Sequence, residues 1–216
     1  EGGKNMLKKL QNGDIIPLSY DKLFKKVLKD NKEFTAMIVS NALKDIIDCT
    51  YEDVMNATFV DVELAEENYQ EKHQIVDVVL RLNDKTQIVL EMNRRFQNWL
   101  YNRNPSYIYS INNKENRVGK TYSADNVVIL INFDVFKSQN GWPKLVNIFV
   151  KKELTVDYTY PYENAIMVHI PIEYSNNILY TKNVNKDFIK CLKLIGAETK
   201  EEMELISKDN RVLKEV

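Results

Sequence analysis

Asp77 and Glu91 are the two side chains whose type and spacing most invite chemistry, because the segments carrying them read as neighbouring strands. Residues 74–82 (QIVDVVLRL) and 87–93 (QIVLEMN) are rich in Val, Ile and Leu, and Asn83-Asp84-Lys85-Thr86 forms a short polar turn between them, the pattern of a β-hairpin. Side chains alternate along a strand, so Ile75, Asp77, Val79 and Arg81 share one face of the first, and Val89, Glu91 and Asn93 one face of the second. With the turn centred near Asp84-Lys85, Asp77 falls opposite Glu91 or Met92, and such cross-strand neighbours lie about 5 Å apart at Cβ. Two carboxylates that close repel each other and persist by sharing a proton or by binding a cation. A hard divalent ion such as Mg²⁺ takes one or two carboxylates and fills its remaining positions with water and phosphate. Such an ion polarises a phosphodiester and activates a bound water, which is the chemistry of hydrolytic strand cleavage. The same spacing also fits two acids on a hairpin face turned to water.

The elements that must position this pair follow from periodicity. Residues 20–47 predict helix: Leu23, Phe24, Val27 and Leu28 recur at helical spacing, and Met37, Ile38, Ala42 and Ile46 continue the stripe after a break near Asn31. Ser19 is a candidate cap for the first of these helices. Residues 58–64 alternate as a half-buried strand. The stretch 94–118 predicts helix, interrupted where Asn104-Pro105 ends one helix and starts another. Residues 126–134 (NVVILINFD) form a nearly continuous apolar run, as a central strand covered on both faces does. A further strand fits 164–172, with Pro171 marking its end or an edge position. From Asp187 onward the chain reads as amphipathic helix, with Ala197-Glu198-Thr199 opening the last one. This order of elements predicts an α/β fold, a central mixed β-sheet flanked by helices.

Bulk properties narrow the class. The 216 residues carry 44% hydrophobic and 28% charged side chains, an ordinary globular balance, with a formal charge of −1. Any nucleic-acid site must therefore be a local patch. Cys49 and Cys191 lie far apart and outside any Cys-x-x-Cys pattern, which argues against a zinc site or a disulfide scaffold and points to the cytoplasm. No apolar run approaches the roughly 20 residues of a membrane helix, and the start of the chain lacks a secretory pattern. His73 and His169 show no ligand spacing and read as surface or satisfied core residues.

The stretch Lys72-His73-Gln74-Ile75-Val76-Asp77-Val78-Val79, followed after the turn by Ile88-Val89-Leu90-Glu91-Met92-Asn93, resembles the core signature of the PD-(D/E)xK transposase-like nucleases, which include the recombination-promoting nucleases. Asp21-Lys22-Leu23-Phe24-Lys25 is similar to the family's N-terminal helix. Arg103 and Tyr107 sit where its post-motif helix carries Arg and Tyr, and Gly119-x-x-Tyr122 precedes its next strand. Ile166–Ile172 and Thr199-Lys200-Glu201-Glu202 resemble its later strand and its C-terminal helix start. The resemblance implies a restriction-endonuclease-like core over 20–184, with 185–216 a C-terminal helical extension packed on or following it. Residues 1–19, opening on Glu1 rather than Met, are expected to be an N-terminal segment that can include residues foreign to the natural chain.

The same resemblance implies a metal-dependent DNA endonuclease using Mg²⁺, Mn²⁺ or Ca²⁺. Asp77 and Glu91 would be its metal ligands, with Glu91 also orienting the attacking water. Asn93 takes the motif's final position, usually Lys in the wider superfamily and Gln in this branch; Asn can hydrogen-bond a water but brings no charge. Asp21, Lys25 and Lys72 are candidate supporting residues, Asp21 fitting equally a plain helix-dipole role.

DNA would lie on the following stretch. Six basic residues, Arg94, Arg95, Arg103, Lys114, Arg117 and Lys120, stand there against one acid, Glu115, so phosphates are attracted and binding weakens with salt. Of these, Arg94, Arg95, Arg103, Arg117 and Lys120, with Tyr107, are the candidate DNA contacts, although Trp99 and Tyr107 also fit core packing. A rival reading is a nuclease-fold protein that binds DNA or a protein partner without cutting, favoured by Asn93. A third is an α/β interaction module unrelated to nucleic acid. Self-association into a homo-oligomer is compatible with the sequence.

Overall fold

Asn31 divides the first helical segment in two. The computed structural model describes residues 15–60, 63–64, 74–83, 85–115, 126–137, 141–159 and 164–216. Helix α1 spans Asp21–Asp30 and α2 Lys32–Leu43, and the Asn31 side chain accepts the Phe34 N–H at 2.9 Å, capping α2. Ser19 does not cap α1: Tyr20 holds that position without a side-chain cap, and Ser19 is buried. A short α3, Tyr51–Asn56, is started by a capping box of Thr50 and Asp53. Its six residues are too few to show an apolar stripe.

Strands β1 (Thr58–Val60), β4 (Val78–Arg81), β5 (Thr86–Asn93), β6 (Val127–Asp134), β7 (Asn147–Phe149) and β8 (Ala165–Pro171) form a six-stranded sheet in the order β1-β4-β5-β6-β8-β7. The pairs β5–β6 and β6–β8 are parallel and the others antiparallel, so the sheet is mixed. Two expected strands are each split. The segment 58–64 yields β1 and a two-residue β2 (Glu63–Leu64), and 74–82 yields β3 (Gln74–Ile75) and β4, with β2 and β3 pairing apart from the main sheet. The break at Val76-Asp77 has a consequence for facing: Val76 and Val79, three residues apart, pack in the same apolar cluster. A regular strand would have put them on opposite faces.

Helix α4, Leu100–Glu115, connects the parallel strands β5 and β6 and runs unbroken through Pro105, where the sequence predicts an interruption. The proline lies in its second turn and forfeits one backbone hydrogen bond. Tertiary contacts hold the residues before it: the wholly buried Asn104 donates to Asn132 Oδ1 at 2.8 Å, and Arg103 is bonded to the sheet. Tyr107, Ile108 and Ile111 of α4 cover one face of the sheet over Val79, Val89, Val128 and Leu130.

The opposite face carries the larger core. Leu80, Ile88, Leu90, Ile129, Ile131, Phe133, Val168 and Ile170 meet α1, α2 and helix α6 (Lys186–Gly196) through Phe24, Leu28, Phe34, Ile38, Phe188 and Leu192. Between β8 and α6 lie a 3₁₀ turn, Ile172–Asn176, and α5, Ile178–Thr181; after α6 come α7, Lys200–Ser207, and α8, Arg211–Lys214. Thr199 caps α7 through a capping box with Glu202. The Arg211 guanidinium ties α8 back to Glu33 on α2 with contacts of 2.8 and 2.7 Å. β6 is buried along nearly its whole length, as its unbroken apolar run predicts, and Pro171 ends β8 without making it an edge; the edge is β7. Among the described residues no helix is long and apolar enough to cross a membrane.

Candidate active site

The register of the hairpin fixes the site. Val78 pairs with Leu90 and Val79 with Val89, so Asp77, one residue before β4, falls opposite Glu91. At the strand break the backbone ladder ends and side chains take over. The Met92 N–H donates to Asp77 Oδ2 at 2.8 Å, and the Asp77 N–H donates to Glu91 Oε2 at 3.1 Å. Each acid thus accepts a backbone donor from the other's strand, which holds both carboxylates against the sheet end. Their side chains are 9% and 5% exposed.

Burial raises both acids above the ordinary carboxylate range. Desolvation is the largest cause at Glu91, followed by the charge of Asp77, and together they push its carboxyl up to about 8. Asp77 is likewise raised by desolvation, against the opposing pull of the Met92 N–H and Lys25; Asp21 adds a smaller upward push. Two cations offset the pair. Lys25 of α1 places Nζ 3.1 Å from Asp77 Oδ1, and Arg103 of α4 places Nη2 3.0 Å from Glu91 Oε1.

Asn93, two residues past Glu91 and on the same face, is 3% exposed. Its Nδ2 donates to Asn132 Oδ1 at 3.1 Å and to Asp134 Oδ1 at 2.9 Å, while its Oδ1 accepts from Arg103 Nη2 at 2.9 Å. The chain of contacts continues to β8, where His169 Nδ1 lies 2.8 Å from Asp134 Oδ2. The His169 ring is stacked on Trp142, 5.5 Å between centroids, and meets Tyr101 and Phe149 edge-on.

The other expected residues separate by location. Asp21 is exposed in the first turn of α1, one turn before Lys25. Arg94 and Arg95 are exposed beyond β5, and the Arg94 guanidinium sits 3.7 Å over the Tyr20 ring. Tyr107 is buried in the apolar cluster under α4, its hydroxyl raised to about 12 chiefly by that burial and next by Glu91. Trp99 is half exposed. Lys72, Arg117, Lys120, His73 and the Gly119-x-x-Tyr122 motif lie outside the described residues.

Sequence reasoning missed Asn104, Asn132 and Asp134, and set His169 aside. A signal was present in NVVILINFD: Asn132 and Asp134 interrupt an apolar central strand on one face, two residues apart, where buried polar groups demand partners.

A mixed sheet flanked by helices, with a carboxylate pair at the C-terminal end of the parallel strand β5, defines a restriction-endonuclease-like α/β protein. Residues 18–216 match the family described as PD-(D/E)XK nuclease family transposase, and the chain belongs to that family. No curated protein and no solved structure matched the chain.

Proposed function

We propose that the protein hydrolyses DNA phosphodiester bonds with the help of a divalent cation, Mg²⁺ or Mn²⁺ first among the candidates, held by Asp77 and Glu91. The observation that carries this reading is the reciprocal locking of two buried carboxylates in a chain of a nuclease family. The donor set fits a hard ion. It offers carboxylate oxygens, and because no cluster of three or more His, Cys, Asp and Glu side chains gathers among the described residues, water and phosphate would have to fill the remaining positions. When bound, such an ion supplies polarisation of the phosphodiester and a water made acidic enough to attack.

The chain's own groups do the rest. Glu91 would orient a water, a role supported by the contacts its carboxylate makes with the Asp77 N–H and Arg103. Lys25 and Arg103 bring positive charge to the point where a phosphate must arrive, and exposed Arg94 and Arg95 extend it outward. Hydrolysis joins the water oxygen to phosphorus and breaks the bond to one sugar oxygen, which departs with a proton from that water. Neither oxidant nor reductant enters.

Plasmid nicking by purified protein with Mg²⁺, Mn²⁺ and Ca²⁺, alongside Asp77→Ala and Glu91→Ala, tests the reading. Cleavage by the wild type and its loss in both variants is expected; equal cleavage by all three proteins refutes the site. One observation favours the rival, a nuclease-fold protein that binds DNA without cutting: both amide hydrogens of Asn93 are directed at Asn132 and Asp134 rather than at a water. Salt-sensitive DNA binding with no cleavage under any metal selects that rival.

A further inference from the structure

Across three parallel strands runs a row of buried polar side chains. Asn93 on β5, Asn132 and Asp134 on β6, and His169 on β8 are each 3% exposed or less. Their hydrogen bonds are directional and leave little freedom. Asn132 Oδ1 accepts from both Asn93 and Asn104, Asn132 Nδ2 donates to the Val168 carbonyl, and Asp134 receives Asn93 on one oxygen and faces His169 with the other. Trp142, Tyr101 and Phe149 wedge the His169 ring. With the Asn93 amide nitrogen fixed inward, its oxygen is aimed outward, and the group it holds is Arg103.

Arg103 is thereby the most constrained cation of the site. One nitrogen, Nη2, touches both Glu91 Oε1 and Asn93 Oδ1, and the guanidinium carbon lies 5.3 Å from the Trp99 ring and 5.1 Å from the Tyr107 ring. Its Nε is buried with no partner among the described residues. Lys25, by contrast, meets Asp77 Oδ1 through a point-charge ammonium on a flexible stem. A planar guanidinium matches a phosphate with two parallel N–H donors, which a point-charge ammonium cannot do.

We propose that Arg103 binds the phosphate to be cleaved and takes up the negative charge that grows on its non-bridging oxygens, and that Asn93, Asp134 and His169 are positioning residues holding it beside the carboxylate pair. The proposal rests on the nuclease reading above and gives the uncharged Asn93 a purpose within it: the charge comes from the neighbouring helix and Asn93 anchors it.

The test measures DNA cleavage with Mn²⁺ by the full chain as wild type, Arg103→Met, Arg103→Lys and Asp134→Asn, with Mn²⁺ affinity by calorimetry and thermal midpoints as controls. Loss of one charge-stabilising donor group predicts a fall in kcat of roughly 100-fold or more for Arg103→Met, with KM changed much less. Mn²⁺ should bind that variant at least as tightly, since a cation competing for Glu91 is gone. Added guanidinium ion should restore part of its rate, a rescue that a merely structural defect does not show. Arg103→Lys should fall between. Asp134→Asn should lower kcat at constant KM and gain nothing from guanidinium, because its arginine is present but loosely held. A wild type that cuts DNA while Arg103→Met cuts within about threefold of it, or stays unresponsive to guanidinium, overturns this inference alone. A wild type that cuts nothing overturns the nuclease reading and this inference with it.

Discussion

The backbone N–H of Asp77, just before β4, donates to the carboxylate of Glu91 on β5 at 3.1 Å. That bond exists because β4 begins only at Val78, leaving Asp77 outside the ladder and its amide free to point at the neighbouring acid. A strand running regularly from Gln74 would have spent that amide otherwise. The hairpin register sets the two acids opposite each other, and the interruption, which the sequence does not announce, lets the Asp77 amide reach the Glu91 carboxylate.

Metal-free protein should lose stability as pH rises. The Glu91 carboxyl is raised from its ordinary value of 4.5 to about 8, so the folded state holds this proton more tightly than the unfolded chain does. The stabilisation is full below pH about 4.5 and disappears as pH climbs through about 8, with Asp77 shifted in the same direction. In EDTA, the thermal midpoint of Glu91→Gln minus that of wild type should grow between these limits. A difference independent of pH contradicts the raised carboxyl.

Divalent ions should act with the opposite trend. Mn²⁺ stabilises only the ionised pair, so at fixed concentration its increment in thermal midpoint should be small near pH 5 and larger at pH 8. Differential scanning fluorimetry reads this directly. An increment equal at both values, or equal in Asp77→Asn, would place the ion elsewhere.

Phe133 is wholly buried and meets Phe24 edge-on with ring centroids 5.5 Å apart, joining the central strand to α1, which carries Lys25. Phe133→Ala should cost about 3–5 kcal/mol in denaturant unfolding through lost burial and the cavity left. A loss under about 1 kcal/mol would mean the helix is not seated on this strand.

Gly196 ends α6 where a Cβ would lie 2.8 Å from Cγ2 of the buried Ile172. Gly196→Ala should therefore destabilise, by roughly 1–3 kcal/mol as overpacking does, despite the helix-favouring nature of alanine. The double variant Gly196→Ala with Ile172→Ala, which removes the Cγ2 methyl that the new Cβ would meet, should cost less than the sum of the two single changes in the same unfolding measurement.

Much of this architecture was legible because it is local. The apolar run at 126–134 forecast a buried central strand, and the polar turn at 83–86 forecast the register that sets Asp77 across from Glu91. What escaped depends on contacts distant in sequence. Pro105 should have broken α4, but Asn104 and Arg103 are anchored on the sheet and carry the helix through it. The edge strand β7 is three residues long and too short for a period to register. Asp134 and His169, 35 residues apart, reveal their partnership only when parallel pairing aligns β6 with β8.

The central claim is that Asp77 and Glu91 grip a single ion, and calorimetric titration of the chelator-treated protein with Mn²⁺ near pH 8 tests it most directly. One ion should bind per chain of the wild type, with at least a roughly tenfold weaker, or undetectable, response from Asp77→Asn and from Glu91→Gln, each still folded by circular dichroism. Undiminished Mn²⁺ affinity in both variants would contradict it.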